Sequence, residues 1–493
     1  MTTHRTDVLV IGAGVAGIGV ACRLRRALPG RDFAILERRA GIGGTWDLFR
    51  YPGIRSDSDM FSFGYRFRPW NGTRVLADGE SIRDYVTATA REYGVDKAIH
   101  HGLRVLAADW SSEHQRWTVT ALREATGERE TWVCSFLVTC TGYYDYDRGH
   151  LPEFPGAERF EGVRIHPQHW PRDFDHTGKR VVVIGSGATA VTLVPALADR
   201  AAHVTMLQRS PSYVLSVPSV DRITAWQQRF LPGPLVARMT RRRNIGLQRA
   251  LFRTARRFPR ATRRMLLAGV RRAVGPRIDM THFSPAYDPW DERLCAVPDG
   301  DLFRVLREGR ADVVTDTVET FTPTGIRLAS GRELAADVVV TATGLNLQAF
   351  GGATISVDGE PRDLQDVCTY KSVMLEGIPN LAWVFGYTNA SWTLKVDLAA
   401  AYLVRLLRHL DATGRTVAVP VDHAANATDE GVVDELTSGY IRRAKDVMPR
   451  QGREFPWRMV MDYHHDRKVL LSDPIEDGVL AFGGPGSARL TGP

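Results

Sequence analysis

Two stretches decide most of what this chain can fold into. "TDVLVIGAGVAGIGVACRLRRA" and "KRVVVIGSGATAVTLVPALA" each run from a β-branched apolar segment, through a glycine turn, into helical periodicity. The first holds Gly12, Gly14 and Gly17 in G-x-G-x-x-G spacing, with Ala16 inside the turn. In such a turn the first glycine permits the sharp reversal. The second lets a pyrophosphate approach the backbone, and the third lets helix and strand pack closely. The unpaired N–H groups at the helix start then face the phosphates. The second stretch repeats the logic at Gly185, Gly187 and Ala190, with Ile184, Ser186, Ala188 and Thr189 completing the turn. Strand, turn and helix twice over predict an α/β protein with two Rossmann-like dinucleotide-binding domains.

The end of the strand after each turn separates the two ligands. Glu37 closes a second strand, "FAILE". An acid there hydrogen-bonds a ribose hydroxyl pair and repels a 2′-phosphate, which implies FAD or NAD. In the second half, "HVTMLQRSP" places Gln208 and Arg209 at the equivalent position. An arginine there pairs with a 2′-phosphate and favours NADP(H); the competing reading is a solvated surface charge. An acid-tagged site and an arginine-tagged site in one chain suggest FAD, retained, and NADPH, visiting to deliver hydride.

A chain of 493 residues is too long for one ordinary core. Five scattered cysteines without a C-x-x-C pair argue for a reducing compartment and against a disulfide reductase. No apolar run is long enough to cross a bilayer. The chain reaches its first strand almost at once with no leader pattern, so a cytoplasmic location is expected. The net charge of +8 is local: Arg222 to Ile278 holds sixteen arginines and no acid. Leu, Val, Met and Phe interleave with them at helical spacing, predicting a basic helical insertion over 216–279. A solvated basic face is the first reading of this block. Peripheral contact with an anionic membrane through 222–277 is the second. Nucleic acid is not expected, because no binding module accompanies the charge. The adjacent pairs His100–His101 and His464–His465 lack metal-ligand spacing, and no metal is expected.

Between the two glycine turns lies "FEGVRIHPQHWP", too aromatic and too Pro-bounded for a flexible linker. With Phe160, Gly162, His166, Trp170 and Pro171 it fits F-x-G-x-x-x-H-x-x-x-W-P. Upstream, Gly44, Trp46, Tyr51, Pro52, Gly53 and Asp57 fit G-x-W-x-x-x-x-Y-P-G-x-x-x-D. In these motifs, and across nearly its whole length, the chain resembles the class B flavoprotein monooxygenases. Within them it resembles the Baeyer–Villiger monooxygenases, and especially their mycobacterial thioamide-activating branch. Pro167 departs from the threonine many members carry after the histidine.

The resemblance implies an FAD domain over 1–145 and 345–493, and an NADP domain over 146–215 and 280–344. It implies NADPH reducing the flavin, dioxygen adding to give a C4a-peroxyflavin, and oxygen insertion beside a ketone carbonyl to give an ester or lactone. Thioamides and sulfides are further expected substrates. Arg293 matches the active-site arginine, and Asp57 the carboxylate that holds it. Ala16 and Glu37 fall at the FAD pyrophosphate and ribose, and Thr45, Trp46, Asp47 and Leu48 on the flavin side. Val105 matches the strand residue whose backbone meets the adenine, and Asn389 falls near the flavin ring. Arg55, Ser56 and Asp57 sit where flavin and nicotinamide meet. The 184–190 turn with Gln208 and Arg209 holds NADP. His166 and Trp170 set the relation of the two domains. Two alternatives stay open: an N- or S-oxygenating flavin enzyme without Baeyer–Villiger activity, and a redox-sensing protein that binds both dinucleotides without turnover.

Overall fold

The computed structural model describes residues 2–292, 294–434, 439–444 and 447–484. The first strand, β1 (Thr3–Ile11), leads through the glycine turn into α1 (Val15–Ala27) and back into β2 (Phe33–Glu37). Two short helices come next, α2 (Thr45–Leu48) and α3 (Met60–Phe63), and then α4 (Gly79–Glu92). β3 (Ile99–His101) precedes the meander β4 (Leu103–Ser111), β5 (Arg116–Arg123) and β6 (Glu128–Thr139). β6, β1, β2 and β3 lie side by side and parallel, with Val10 opposite both Val138 and Ile35. Every residue of β2 is buried, as a strand covered on both faces requires.

The chain leaves this domain on β7 (Tyr144–Gly149) and enters the second at β8 (Val163–Ile165). β9 (Arg180–Ile184), α5 (Ala188–Leu197) and β10 (His203–Gln208) form its nucleotide-binding unit. β11 (Val214–Val217) opens an excursion through α6 (Arg222–Gln227), α7 (Gly233–Arg257) and α8 (Pro259–Val274). The excursion closes at β12 (Cys295–Pro298), which pairs in parallel with β11. It therefore runs past the expected end at 279. Next come α9 (Asp301–Arg307), β13 (Ala311–Thr315), the antiparallel trio β14 (Val318–Thr322), β15 (Gly325–Leu328) and β16 (Glu333–Ala335), and β17 (Val338–Thr341). The second sheet has the order β13-β10-β9-β17-β8, all parallel. β18 (Leu345–Leu347) pairs antiparallel with β7, so the outgoing and returning chains form one ribbon between the domains. The returning chain adds a strand, Leu381–Trp383, beside β6, and a long buried helix, Trp392–Thr413.

By connectivity the arginine-rich helices belong to the second domain, and α8 packs there through Val270 and Val274, yet α7 docks on the first. Arg241 donates to the carbonyls of Phe61 (3.2 Å) and Ser62 (2.9 Å) and to that of Gly64, and pairs with Asp397. Asn244 donates to Asp59, and Arg249 and Arg253 both pair with Asp462. Part of the block is therefore structural cement and not a wholly solvated face. Cations here add charge-assisted bonds to helix-end carbonyls and to carboxylates.

Candidate functional site

The two glycine turns are built alike. Gly12 (φ 101°) and Gly185 (φ 143°) both lie in the left-handed region that favours glycine. Their N–H groups donate to Leu36 O and Leu207 O, 2.8 Å each. A Cβ on Gly12 would sit 2.6 Å from Cys140 O, and one on Gly185 2.4 Å from Ala342 O. Each turn is thus pressed against the Thr-Gly strand end that closes its domain. The third positions differ. A Cβ at Gly17 would fall 1.8 Å from Gly12 O, whereas Ala190 carries a real Cβ and is fully buried. The helix after the first turn lies closer to its strand than the helix after the second. Nothing lies within 4 Å of where a Cβ on Gly187 would stand, so the second turn faces open space.

Between the domains lies one cavity of ≈ 940 Å³, at the upper end of the roughly 300–1,000 Å³ range of ligand sites. Gly12, Gly14, Ala16, Glu37, Thr45, Trp46, Arg55, Ser56, Asp57, Val105, Ala188, Thr189 and Asn389 all line it. Site residues expected from three separate parts of the chain thus converge on one space. Glu37 is buried, and its carboxylate accepts the N–H groups of Ala13 and Arg39, 2.7 Å each. Burial pushes its pKa up, and the two backbone donors oppose that. Each oxygen keeps a lone pair for a hydroxyl. Beside Val105 the β4–β5 register shifts, a bulge that disrupts the ladder next to the cavity.

The "YPG" segment explains how the two domains meet. Tyr51 hydrogen-bonds Thr189 of the second turn, and burial pushes its hydroxyl up to about 12, so it stays neutral at working pH. A Cβ on Gly53 (φ 76°) would meet Ala196 Cβ at 2.8 Å and Thr192 O at 3.0 Å, so only glycine lets this loop lie against α5. Arg55 pairs with Asp301 at the start of α9 (2.6 Å), another bridge across the seam. Among the described residues its Nε is buried without a partner, as is Oε1 of Gln248 on α7. Both residues line the cavity, so polar atoms are left for a ligand there.

Other expected site residues lie elsewhere. Asp47 is buried in ion pairs with Arg39 (2.8 Å) and Arg50, and Leu48 packs in the second domain's core; neither lines the cavity. Gly17, Ile184, Gly185, Ser186, Gly187 and Ala190 form the turns behind it. Gln208 is buried and donates to His282 O and Thr315 Oγ1, which directs its amide inward. Arg209 stands exposed at the end of β10, without an ion pair among the described residues. Arg293 lies outside the described residues, although its neighbours Trp290 and Leu294 line the cavity. Sequence reasoning missed one wall, formed by Leu247, Leu251 and Phe252 of α7. It also missed the aromatic floor, where Tyr143 stacks on Trp392 with centroids 5.1 Å apart. The spacing of α7 was visible, but an amphipathic stripe does not say what it faces.

The linker is pinned, not loose. His166 Nδ1 accepts the N–H of Gln168, which leaves the proton on Nε2 to donate to Gly344 O at 3.2 Å. Its ring fills the space a Cβ on Gly149 would need. Trp170 is buried in the second domain's core, edge-on to Phe174. His166 thus locks the β7–β18 ribbon. Burial lowers its pKa, and that of neighbouring His150. The unfolded chain, with ordinary histidines near pKa 6.5, binds more protons below that pH, so stability should fall as pH drops through it. The thermal midpoint should therefore decrease between about pH 7.5 and about pH 5.5, and His166→Gln should flatten the slope. An unchanged slope in the variant would exclude His166 as a contributor.

Two glycine turns opening on one cavity, with a pinned linker between them, define a protein of the class that holds two dinucleotides face to face. The "Flavin-binding monooxygenase-like" family matches residues 73–229, and the "NAD(P)-binding Rossmann-like domain" family residues 10–75. A Mycobacterium tuberculosis protein bearing the name FAD-containing monooxygenase MymA is 59% identical over 480 residues, 97% of each chain. The FAD-containing monooxygenase EthA of Mycolicibacterium smegmatis is 50% identical over 484 residues, 98% of each chain. The chain belongs to this family of FAD-containing, class B flavin monooxygenases. In fold it is similar to a steroid monooxygenase bound to NADP (TM-score 0.77, 23% identity, 97% of this chain and 100% of that one). It is likewise similar to the cyclohexanone monooxygenase of Rhodococcus sp. Phi1 (TM-score 0.73, 20% identity, 98% and 100%).

Proposed function

We propose that the protein uses NADPH and dioxygen to convert ketones to esters or lactones, and that it also oxygenates soft sulfur in sulfides and thioamides. Per turnover, ketone, NADPH, a proton and O2 give ester, NADP⁺ and water. The observation that carries this reading is the shared cavity. The first glycine turn, the front of the second and an apolar helical wall all open into it.

FAD, when bound, accepts hydride from NADPH and activates dioxygen. The first turn, Glu37 and the bulged strand at Val105 would hold its nucleotide half. Trp46, Thr45 and Asn389 would border the ring. NADPH would lie on the second turn with its 2′-phosphate on Arg209, reaching the cavity past Thr189. Asp57 keeps a carboxylate at that junction and, on the family resemblance, steadies Arg293. A guanidinium stays charged at any working pH, so it stabilises a negatively charged oxygen without being titrated away. Leu251 and Phe252 exclude water and accept the apolar part of the substrate, and Leu247 stands at the mouth.

The test is purified protein with NADPH, ¹⁸O₂ and a panel of linear, cyclic and aryl ketones plus a sulfide. We expect ketone-dependent NADPH consumption and one ¹⁸O in the ester. Sulfoxide without ester would favour the N- or S-oxygenating alternative. NADPH consumption that ignores every substrate would favour the sensor. Arg209→Ala tests the dinucleotide assignment separately. Charge-assisted contact with a phosphate contributes about 1.5–3 kcal/mol. The variant should raise KM for NADPH roughly 10- to 100-fold while leaving that for NADH nearly unchanged. An unaltered NADPH/NADH preference removes Arg209 from the site.

A further inference from the structure

The large apolar side chains that stand exposed are concentrated on the helical excursion. Ile223 (55%), Trp226 (61%) and Phe230 (70%) project around the turn from α6 to α7, with Trp226 and Phe230 rings 5.5 Å apart. Leu235 and Met239 continue the exposed apolar surface along α7. Among the described residues, the side chains of the exposed Arg229, Arg238 and Arg242 beside them make no ion pair or hydrogen bond. The nearest acid, Asp221, is held by Arg243. Aromatic and aliphatic tips ringed by unneutralised arginines are the composition of an element that lies in a membrane interface. Apolar tips this exposed and this clustered also need a partner, which a solvated basic face does not supply.

The surface adjoins the cavity. Two turns beyond Met239, Leu247 lines the cavity while 61% exposed, so the cavity opens beside the same helix. Packing this face against its own counterpart in a second copy would bring two acid-free arginine sets together, which like-charge repulsion opposes. An anionic bilayer satisfies both halves of the surface at once.

We propose that this face seats on an anionic lipid bilayer. Ile223, Trp226 and Phe230 enter the acyl boundary, and Arg229, Arg238 and Arg242 lie on the headgroup phosphates. The cavity then takes lipid-soluble carbonyl compounds from the membrane surface past Leu247. The uptake half rests on the proposed function; the docking half does not.

The experiment is co-sedimentation of the flavin-loaded protein with phosphatidylcholine vesicles, with and without phosphatidylglycerol. We expect binding at least about tenfold stronger to the anionic vesicles, lost near 1 M salt, where the screening length shrinks to about 3 Å. Trp226→Ser/Phe230→Ser should weaken that binding at least about tenfold, because two aromatic side chains no longer leave water. Arg229→Glu/Arg238→Glu should abolish the preference for anionic lipid. Both variants should keep their flavin and their turnover of a small water-soluble ketone, and lose turnover of a long-chain ketone dissolved in the vesicles. Equal binding to neutral and anionic vesicles overturns the proposal, as does binding that ignores the aromatic pair. So does a Trp226→Ser/Phe230→Ser protein whose oligomer dissociates by light scattering, since the face would then belong to a second copy. Sedimentation reads docking even if no ketone is turned over, so failure of the catalytic reading is seen separately.

Discussion

Gly17→Ala should strip the protein of its flavin. The added Cβ would sit 1.8 Å from Gly12 O and 3.0 Å from its carbonyl carbon, and both are backbone atoms. Gly12 is held in place, its N–H bonded to Leu36 O and the preceding Ile11 O bonded by Cys140 N–H, 2.8 Å each. The only relief is for α1 to retreat from β1 by more than an ångström. Its first N–H groups, the donors aimed at a pyrophosphate, retreat with it. Losing charge-assisted hydrogen bonds of about 1.5–3 kcal/mol each should lower FAD affinity on the order of 10²-fold. The variant should purify colourless, and NADPH should bleach nothing. Ala190→Gly is the matched control, since the second turn already accommodates a Cβ. It should cost about 0.5–1 kcal/mol of helix stability and leave NADPH binding nearly unaltered. A Gly17→Ala protein that retains flavin at wild-type affinity would remove the first turn as the flavin's seat.

That asymmetry between Gly17 and Ala190 was legible in the sequence, because it is a matter of one Cβ in a local turn. The same holds for both strand–turn–helix units, whose apolar periods and glycines act within about twenty residues. What was not legible depends on elements distant in the chain. The pairs Arg55–Asp301 and Arg241–Asp397 join residues 246 and 156 positions apart. No spacing rule connects them. The α7 wall failed differently: its helical period was read correctly, but periodicity gives the apolar face and not the neighbour. Several of the arginines that dominate the charge count are held by backbone carbonyls and partly buried carboxylates of the other domain. Gln208 shows a contact that local spacing does not contain. Its place beside Arg209 points toward the dinucleotide, and its amide also braces the loop at His282, 74 residues away.

The largest stability effect should come from a buried charge behind the cavity. Asp466 is 4% exposed and accepts from Lys395 Nζ and from Tyr387 Oη, 2.7 Å each. Lys395 is 1% exposed, and Tyr387 lines the cavity. Burial lowers the Lys395 pKa, and among the described residues the Asp466 carboxylate counters it. Asp466→Ala leaves an ammonium buried without a counter-ion, which typically costs about 3–5 kcal/mol. The thermal midpoint should therefore fall by several degrees. The remaining Lys395 should also leave a titration signature. With its folded pKa depressed further, the unfolded chain binds the extra proton at every pH between that value and about 10.4. Stability of the variant should therefore rise with pH from neutrality upward, more steeply than that of the wild type. Lys395→Met/Asp466→Leu should recover most of the loss, because both charges leave together and apolar volume replaces them. Tyr387 then loses its acceptor, so the double variant should be stable yet show a raised KM for ketone. That separates the fold's need for charge balance from the cavity's need for a fixed tyrosine. An Asp466→Ala protein within about 0.5 kcal/mol of wild type would show that Lys395 finds another partner and that Asp466 does not hold the site.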